Sequence, residues 1–130
     1  MEYELMIGKD RAVSLVQDNS IGKLIKPLSR EIQLFDSYVA GTGYGDAEAL
    51  VALKVDDKLL LKREPDNRFD DNAIAVLDAQ NRKIGYIPER DGTVAARLMD
   101  AGKYLTAKVI RLEEKGSFRQ VNISICLVDF

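Results

Sequence analysis

The sequence has no histidine and only one cysteine in 130 residues. Without an imidazole, neither a Ser-His-Asp nor a Cys-His nucleophile can be built, and a Cys/His zinc site has no donor set. Cys126 has no partner for a disulfide within the chain. It stands in the alternating run VNISICLV and reads as a half-buried strand residue. Long apolar runs are missing as well, so no segment reads as a membrane-spanning helix. The opening MEYELMIGKD carries acids where a secretory signal needs bases followed by an apolar stretch, and the expected location is the cytoplasm. A strong charge of one sign is also lacking. The net charge is −2 and the pI near 5.2, which argues against a broad basic face for duplex DNA. A small site touching few phosphates remains compatible with that balance.

What is present is an ordinary globular composition, 46% apolar and 31% charged, long enough for one domain with a core. No repeat or low-complexity tract is visible. Residues 1–31 are hard to read. RAVSLVQD and SIGKLIKPL each fit a short helix, with Ser20 as an N-cap and Pro27 as a stop. We read 1–31 as an N-terminal extension packed on the domain, at the contact of a homodimer.

From Ile32 onward the pattern is clearer, and 32–130 reads as one β-rich domain. IQLFDSYVAG is strand-like and ends on glycine. DAEALVAL fits two helical turns, and KLLLKRE is a short strand. NAIAVLD and KIGYIP flank the polar DAQNRK and predict an antiparallel hairpin. After Pro88, RDGTVAARLMDAGK predicts the clearest helix, with Val94, Ala95, Leu98 and Met99 on its apolar face and Gly102 as its cap. YLTAKVIRLEE and RQVNISICLVDF are strands joined by KGS. The second sets Val121, Ile123, Ile125 and Leu127 against Asn122, Ser124 and Cys126, the signature of a sheet with one wet face. Six short antiparallel strands, one clear helix and one or two smaller ones imply a curled sheet or small barrel with the helix across one opening.

Two loops carry the chemistry. REPDNRFDDNAIAV places one bare ring, Phe69, between Arg68 and Asp70. Such a ring is either pinned into a core or left out for a ligand. An EF-hand reading from Asp66 fails, because the sixth and twelfth places hold Asp71 and Leu77 instead of Gly and Glu. A two-metal centre fails too, since adjacent Asp70 and Asp71 point apart on an extended backbone. No metal, cofactor or enzymatic activity is expected. GTGYGD matches neither GxxxxGK[ST] nor GxGxxG. By composition it is a tight strand-to-helix turn with Tyr44 folded onto the barrel. Tyr86 and Phe118 follow on later strand ends. Each ring alone is accounted for by core packing, whereas together they resemble a set able to stack on unpaired bases.

The run REPDNRFDDNAIAVLDAQNRKIGYIPERD, the alanine-rich helix ending in DAGK, and the upstream YVAGTGY resemble the HIRAN domain family, from about Leu34 to Leu112 and more loosely to Phe130. The resemblance implies an OB-like or SH3-like β-barrel with helices packed on it. Members occur fused to SWI/SNF-type fork-remodelling ATPases and as small stand-alone bacterial proteins. In the remodellers the domain binds single-stranded DNA at a free 3′-hydroxyl end. Carried over, Tyr44 and Phe69 would stack on terminal bases, Asp70 would accept the 3′-hydroxyl, Asn67 and Tyr86 would line the pocket, and Phe118 would lie near a further base. Two positions depart from the DNA-binding members: Gly43 replaces an arginine, and Glu89 falls near a phosphate-reaching lysine. Arg68, Lys83, Arg90 and Arg119 are the nearest candidate phosphate contacts. A role in DNA repair would need a protein partner supplying a motor or nuclease. The alternative is a protein–protein adaptor using the same barrel. An ionised carboxylate accepts hydrogen bonds only, so a ring beside Asp70 suits a strand end and repels a phosphate.

Overall fold

The computed structural model describes residues 30–129, of which Glu31–Val128 form one compact unit. The expected helices of the N-terminal extension and the dimer contact through it lie outside the described residues. Six strands form one antiparallel sheet: β1 (Arg30–Tyr38), β2 (Lys58–Arg63), β3 (Ile74–Leu77), β4 (Lys83–Tyr86), β5 (Tyr104–Lys115) and β6 (Phe118–Asp129). Their spatial order is β1-β6-β5-β2-β3-β4. Among the described residues there are also two α-helices, α1 (Ala47–Ala52) and α2 (Glu89–Asp100), and a 3-10 turn at Thr42–Tyr44. The expected mainly-β fold with helices is therefore what forms. The strands are not all short, since β5 and β6 run 12 residues each.

The sheet curls into a half-barrel around Leu59, Ile74, Val76, Ile84, Leu105, Val109, Val121, Ile123 and Ile125, all fully buried. Each such aliphatic side chain contributes about 1.5–3 kcal/mol. β5 carries a bulge, because Val109 faces Ile123 while Arg111 faces Asn122 and Ile110 has no opposite number. A bulge adds twist and lets a long ribbon bend. The curl brings the two sheet ends together just after β1. Val39 N–H donates to Val121 O of β6 at 2.9 Å, while Ala40 exchanges both backbone bonds with Tyr86 of β4 at 2.7 and 2.9 Å. Gly85 makes this closure possible, since a Cβ there would collide with the Ala40 carbonyl and Val39.

Two expectations need correction. Of the expected apolar face of α2, Ala95, Leu98 and Met99 pack on the core but Val94 is 61% exposed, and the fully buried positions are Gly92, Ala95 and Ala96. The closest approach of the helix is made by small residues, Gly92 and Ala96, which carry little hydrophobic signal. The second face of β6 is not wet either: Asn122, Ser124 and Cys126 are buried. β6 is an interior strand flanked by β1 and β5, and these side chains are short. Gln120 donates to Asn122 Oδ1 at 3.0 Å, and Ser124 Oγ lies 4.0 Å from Cys126 Sγ. The cap of α2 forms as expected. Gly102 takes φ 93°, with Gly102 N–H on Met99 O and Lys103 N–H on Leu98 O.

Candidate functional site

The loop between β2 and β3, residues 64–73, is held by its own polar groups. At its base Arg63 binds both oxygens of Asp100, at the end of α2, at 2.9 and 3.1 Å. The same guanidinium donates to Ala73 O at 2.8 Å and Asp71 O at 3.0 Å. The Asp100 bond raises the pKa of Arg63 further and holds the Asp100 carboxyl below its usual range. Within the loop Asn67 Oδ1 accepts from the backbone N–H of Phe69 at 2.9 Å and of Asp70 at 3.1 Å, an Asx turn. Asp70 Oδ1 accepts from Asn72 N–H at 2.9 Å. No described residue donates to Asp70 Oδ2. The turn thus fixes the Phe69 backbone while its ring stands 88% exposed, with Arg68 Cζ 5.8 Å from the ring centroid.

Opposite the loop stands the end of β4. Tyr86 hydroxyl donates to Glu64 Oε1 at 2.8 Å, and Lys83 Nζ donates to Glu64 Oε2 at 2.8 Å and to the Tyr86 oxygen at 2.9 Å. Asn67 Nδ2 also donates to Glu64 Oε1, at 3.1 Å. The Lys83 bond, with help from Tyr86 and Asn67, holds the Glu64 carboxyl below its usual range, while Glu64 raises the Lys83 pKa.

Loop and wall enclose a cavity of about 670 Å³, open on one side. The more buried Ala40, Ala73, Ile87 and Pro88 give it an apolar floor, and Gly41, Asp66, Asn67, Arg68, Phe69, Asp70, Tyr86 and Glu89 its rim. Asn67, Phe69, Asp70 and Tyr86 are therefore brought together. Tyr44 follows the lining residue Gly41 on the 3-10 turn, its N–H bonded to Gly41 O at 3.1 Å. Its ring is 98% exposed, so the turn is tight but the ring is not folded onto the barrel. Gly45 lies so close to the Ile84 backbone that a Cβ would clash, and the turn presses flat on β4 with its middle residues outward.

The remaining expected residues lie elsewhere or are engaged. Phe118, 52% exposed at the β5–β6 hairpin, does not line the cavity. Arg119 donates to the carbonyls of Leu50 and Val51 at the end of α1, at 2.7 and 3.1 Å, and pairs with Glu114. Arg90 pairs with Asp91 at 3.5 Å and lies over the Tyr38 ring. Lys83 is tied to Glu64. Among the described residues the rim carries one base, Arg68, against the carboxylates of Asp66, Asp70 and Glu89. The space beside Gly43 is open. Sequence reasoning missed Glu64, whose partners lie 3, 19 and 22 positions away. Only the local Glu64–Asn67 spacing hinted at it. Among the described residues no group of three or more carboxylates or thiols converges to hold a metal.

A curled antiparallel half-barrel with a loop-built, ring-flanked cleft defines a small β domain whose chemistry sits on loops. The HIRAN domain family model matches residues 32–128, and the chain belongs to that family. A Lactobacillus plantarum protein of solved structure is 31% identical, with 78% of this chain and 99% of that one covered and a TM-score of 0.73. The HIRAN domain of human HLTF is similar at 17% identity, covering 79% of this chain and 81% of that one, with a TM-score of 0.63. An NMR structure of the HLTF HIRAN domain in its DNA-bound conformation matches at 18% identity, 74% and 78% coverage, and a TM-score of 0.52. No curated protein matches the chain.

Proposed function

We propose that this domain binds nucleic acid without catalysing a reaction on it, and that its ligand is the 3′-hydroxyl end of a single DNA strand. The observation that carries the reading is the pairing, on one cavity rim, of an exposed Phe69 ring with an Asp70 oxygen that no other described residue uses. Stacking on an exposed ring is worth about 1–3 kcal/mol per base. A carboxylate accepts a terminal hydroxyl and repels a phosphate in the same place. That HLTF's HIRAN domain has a DNA-bound conformation supports the ligand class.

In this reading Phe69 and Tyr44 stack on the last bases, Asp70 takes the hydroxyl, and Asn67 and Tyr86 shape the pocket. Phe118 serves a base further along the strand. Arg68 supplies the nearest phosphate contact, and Arg90 lies one position beyond the rim residue Glu89. Carboxylates outnumber bases on the rim, so few phosphates are touched and the salt dependence is shallow, with about one or two counterions released. Work on the captured strand falls to a protein partner.

The test is a fluorescence anisotropy titration of two single-stranded oligonucleotides that differ only in ending with 3′-hydroxyl or 3′-phosphate. Hydroxyl-end binding should be tighter by about tenfold or more, the effect of one charged hydrogen bond. Asp70→Asn, which keeps the bond to Asn72, should remove that preference. Equal affinity for both ends would defeat the role given to Asp70. Binding to neither would defeat the nucleic-acid reading and favour an adaptor.

A further inference from the structure

We infer that Glu64, which lies behind the cleft and lines none of it, is the positioning residue that sets its geometry. The inference rests on the proposed reading for its ligand, and on the hydrogen-bond network for its mechanism. Glu64 Oε1 receives two donors, the Asn67 amide from the loop and the Tyr86 hydroxyl from β4. Asn67 receives the N–H groups of Phe69 and Asp70 on its own Oδ1. A two-step chain therefore runs from the β4 wall through Glu64 and Asn67 to the backbone that carries the ring and the carboxylate.

An amide side chain can otherwise rotate and exchange its two ends. With Nδ2 held by Glu64, the oxygen of Asn67 must face the turn, and both N–H groups are met. The backbone supports the same arrangement. Glu64 N–H donates to Ala73 O at 2.9 Å and closes the loop's base, and Asn67 N–H donates to Glu64 O at 3.0 Å. Glu64 Oε2 meanwhile holds Lys83 at 2.8 Å. The two oxygens thus have different roles, Oε1 ordering the cleft and Oε2 keeping a lysine occupied.

Two substitutions separate these roles. Glu64→Gln keeps a carbonyl oxygen for Asn67 and Tyr86 but loses the ion pair. Glu64→Ala removes all three bonds. The first readout needs no ligand: amide hydrogen exchange at Phe69 and Asp70, with circular dichroism and core amides monitoring the fold. Glu64→Ala should speed exchange at these two sites by about tenfold, the scale of one lost hydrogen bond, and Glu64→Gln by less than about threefold. The second readout is the ratio of affinities for 3′-hydroxyl and 3′-phosphate strands. It should fall about tenfold in Glu64→Ala and hold within about threefold in Glu64→Gln. Unchanged exchange and an unchanged ratio in Glu64→Ala, with the fold intact, would overturn the inference. So would an equal loss in both variants, which would mark the charge as the active element. Failure of the wild-type protein to bind either strand would fall on the proposed function alone, since the exchange measurement still decides whether Glu64 orders the loop.

Discussion

Two loops at opposite ends of β3 solve the same local problem and leave different remainders. In the β3–β4 hairpin, Asp78 accepts from the N–H groups of Gln80 and Arg82 and from Arg82 Nε, at 3.0, 2.8 and 2.8 Å. Its side chain is 7% exposed, and Asn81 at φ 65° completes the turn. The loop is closed on itself and shows no aromatic. The β2–β3 loop uses the same kind of bonds, Asn67 and Asp70 accepting from nearby N–H groups, and adds long-range ties from Glu64 to Lys83 and Tyr86 and from Arg63 to Asp100. Yet it holds Phe69 out and leaves one Asp70 oxygen unengaged by any described residue. A loop that is ordered but incompletely satisfied, beside an apolar cavity, is what a ligand can complete.

The largest expected effect breaks the frame common to both loops. Gly85→Ala sets a Cβ against the Ala40 carbonyl, and urea denaturation should show a loss of about 3 kcal/mol or a failure to fold. Retained stability would mean the sheet ends need no such close approach. Next comes Asp78→Ala, which strands donors in the self-contained hairpin. A loss of about 2 kcal/mol is expected with oligonucleotide affinity unchanged. The pH dependence follows from the Asp78 carboxyl. Burial works to raise its pKa, but the bonds from Arg82 and Gln80 outweigh burial and hold it lowered. Its stabilisation is therefore present above the ordinary carboxyl range and lost as pH falls through the lowered value. The stability gap between wild type and Asp78→Ala should narrow on acidification, and a gap that widens would contradict the assigned bonds.

Phe69→Ala should do the reverse of Asp78→Ala. An 88% exposed ring contributes little to the fold, so stability should stay within about 0.5 kcal/mol of wild type. Affinity for a single strand should drop by about 1–3 kcal/mol. A clear loss of stability with unchanged affinity would make Phe69 a structural residue. The smallest effect concerns salt. Glu89→Lys adds a base to the cavity rim, and the slope of affinity against salt should steepen by about one counterion. An unchanged slope would place the strand's phosphates away from Pro88 and Glu89.

Local pattern makes much of the fold readable from the chain alone. KLLLKR alternates into the core, the DAQNRK hairpin pairs Ala75 with Tyr86, and Gly102 caps α2. What escapes has physical reasons. Pattern turns the face of α2 toward Val94, because Gly92 and Ala96 pack closely yet carry little hydrophobic weight. The Ala40–Tyr86 closure joins segments 46 positions apart and leaves no periodic trace. In the cleft, residues close in sequence, Asn67, Phe69 and Asp70, are visible as a group. Glu64 is not, because its role arises from Lys83 and Tyr86 on another strand. The availability of the bases is equally illegible: Lys83, Arg90 and Arg119 look free in a sequence and are paired in the fold.

The contrast between the two loops can be read residue by residue by titrating a 3′-hydroxyl oligonucleotide into isotopically labelled protein and following the backbone amide resonances. Capture of a strand end by the β2–β3 loop predicts shifts at Phe69, Asp70 and Tyr86 and on the turn bearing Tyr44, with the Asp78–Arg82 hairpin silent. Shifts centred on that hairpin, or on another face of the half-barrel with Phe69 and Asp70 unmoved, would contradict it.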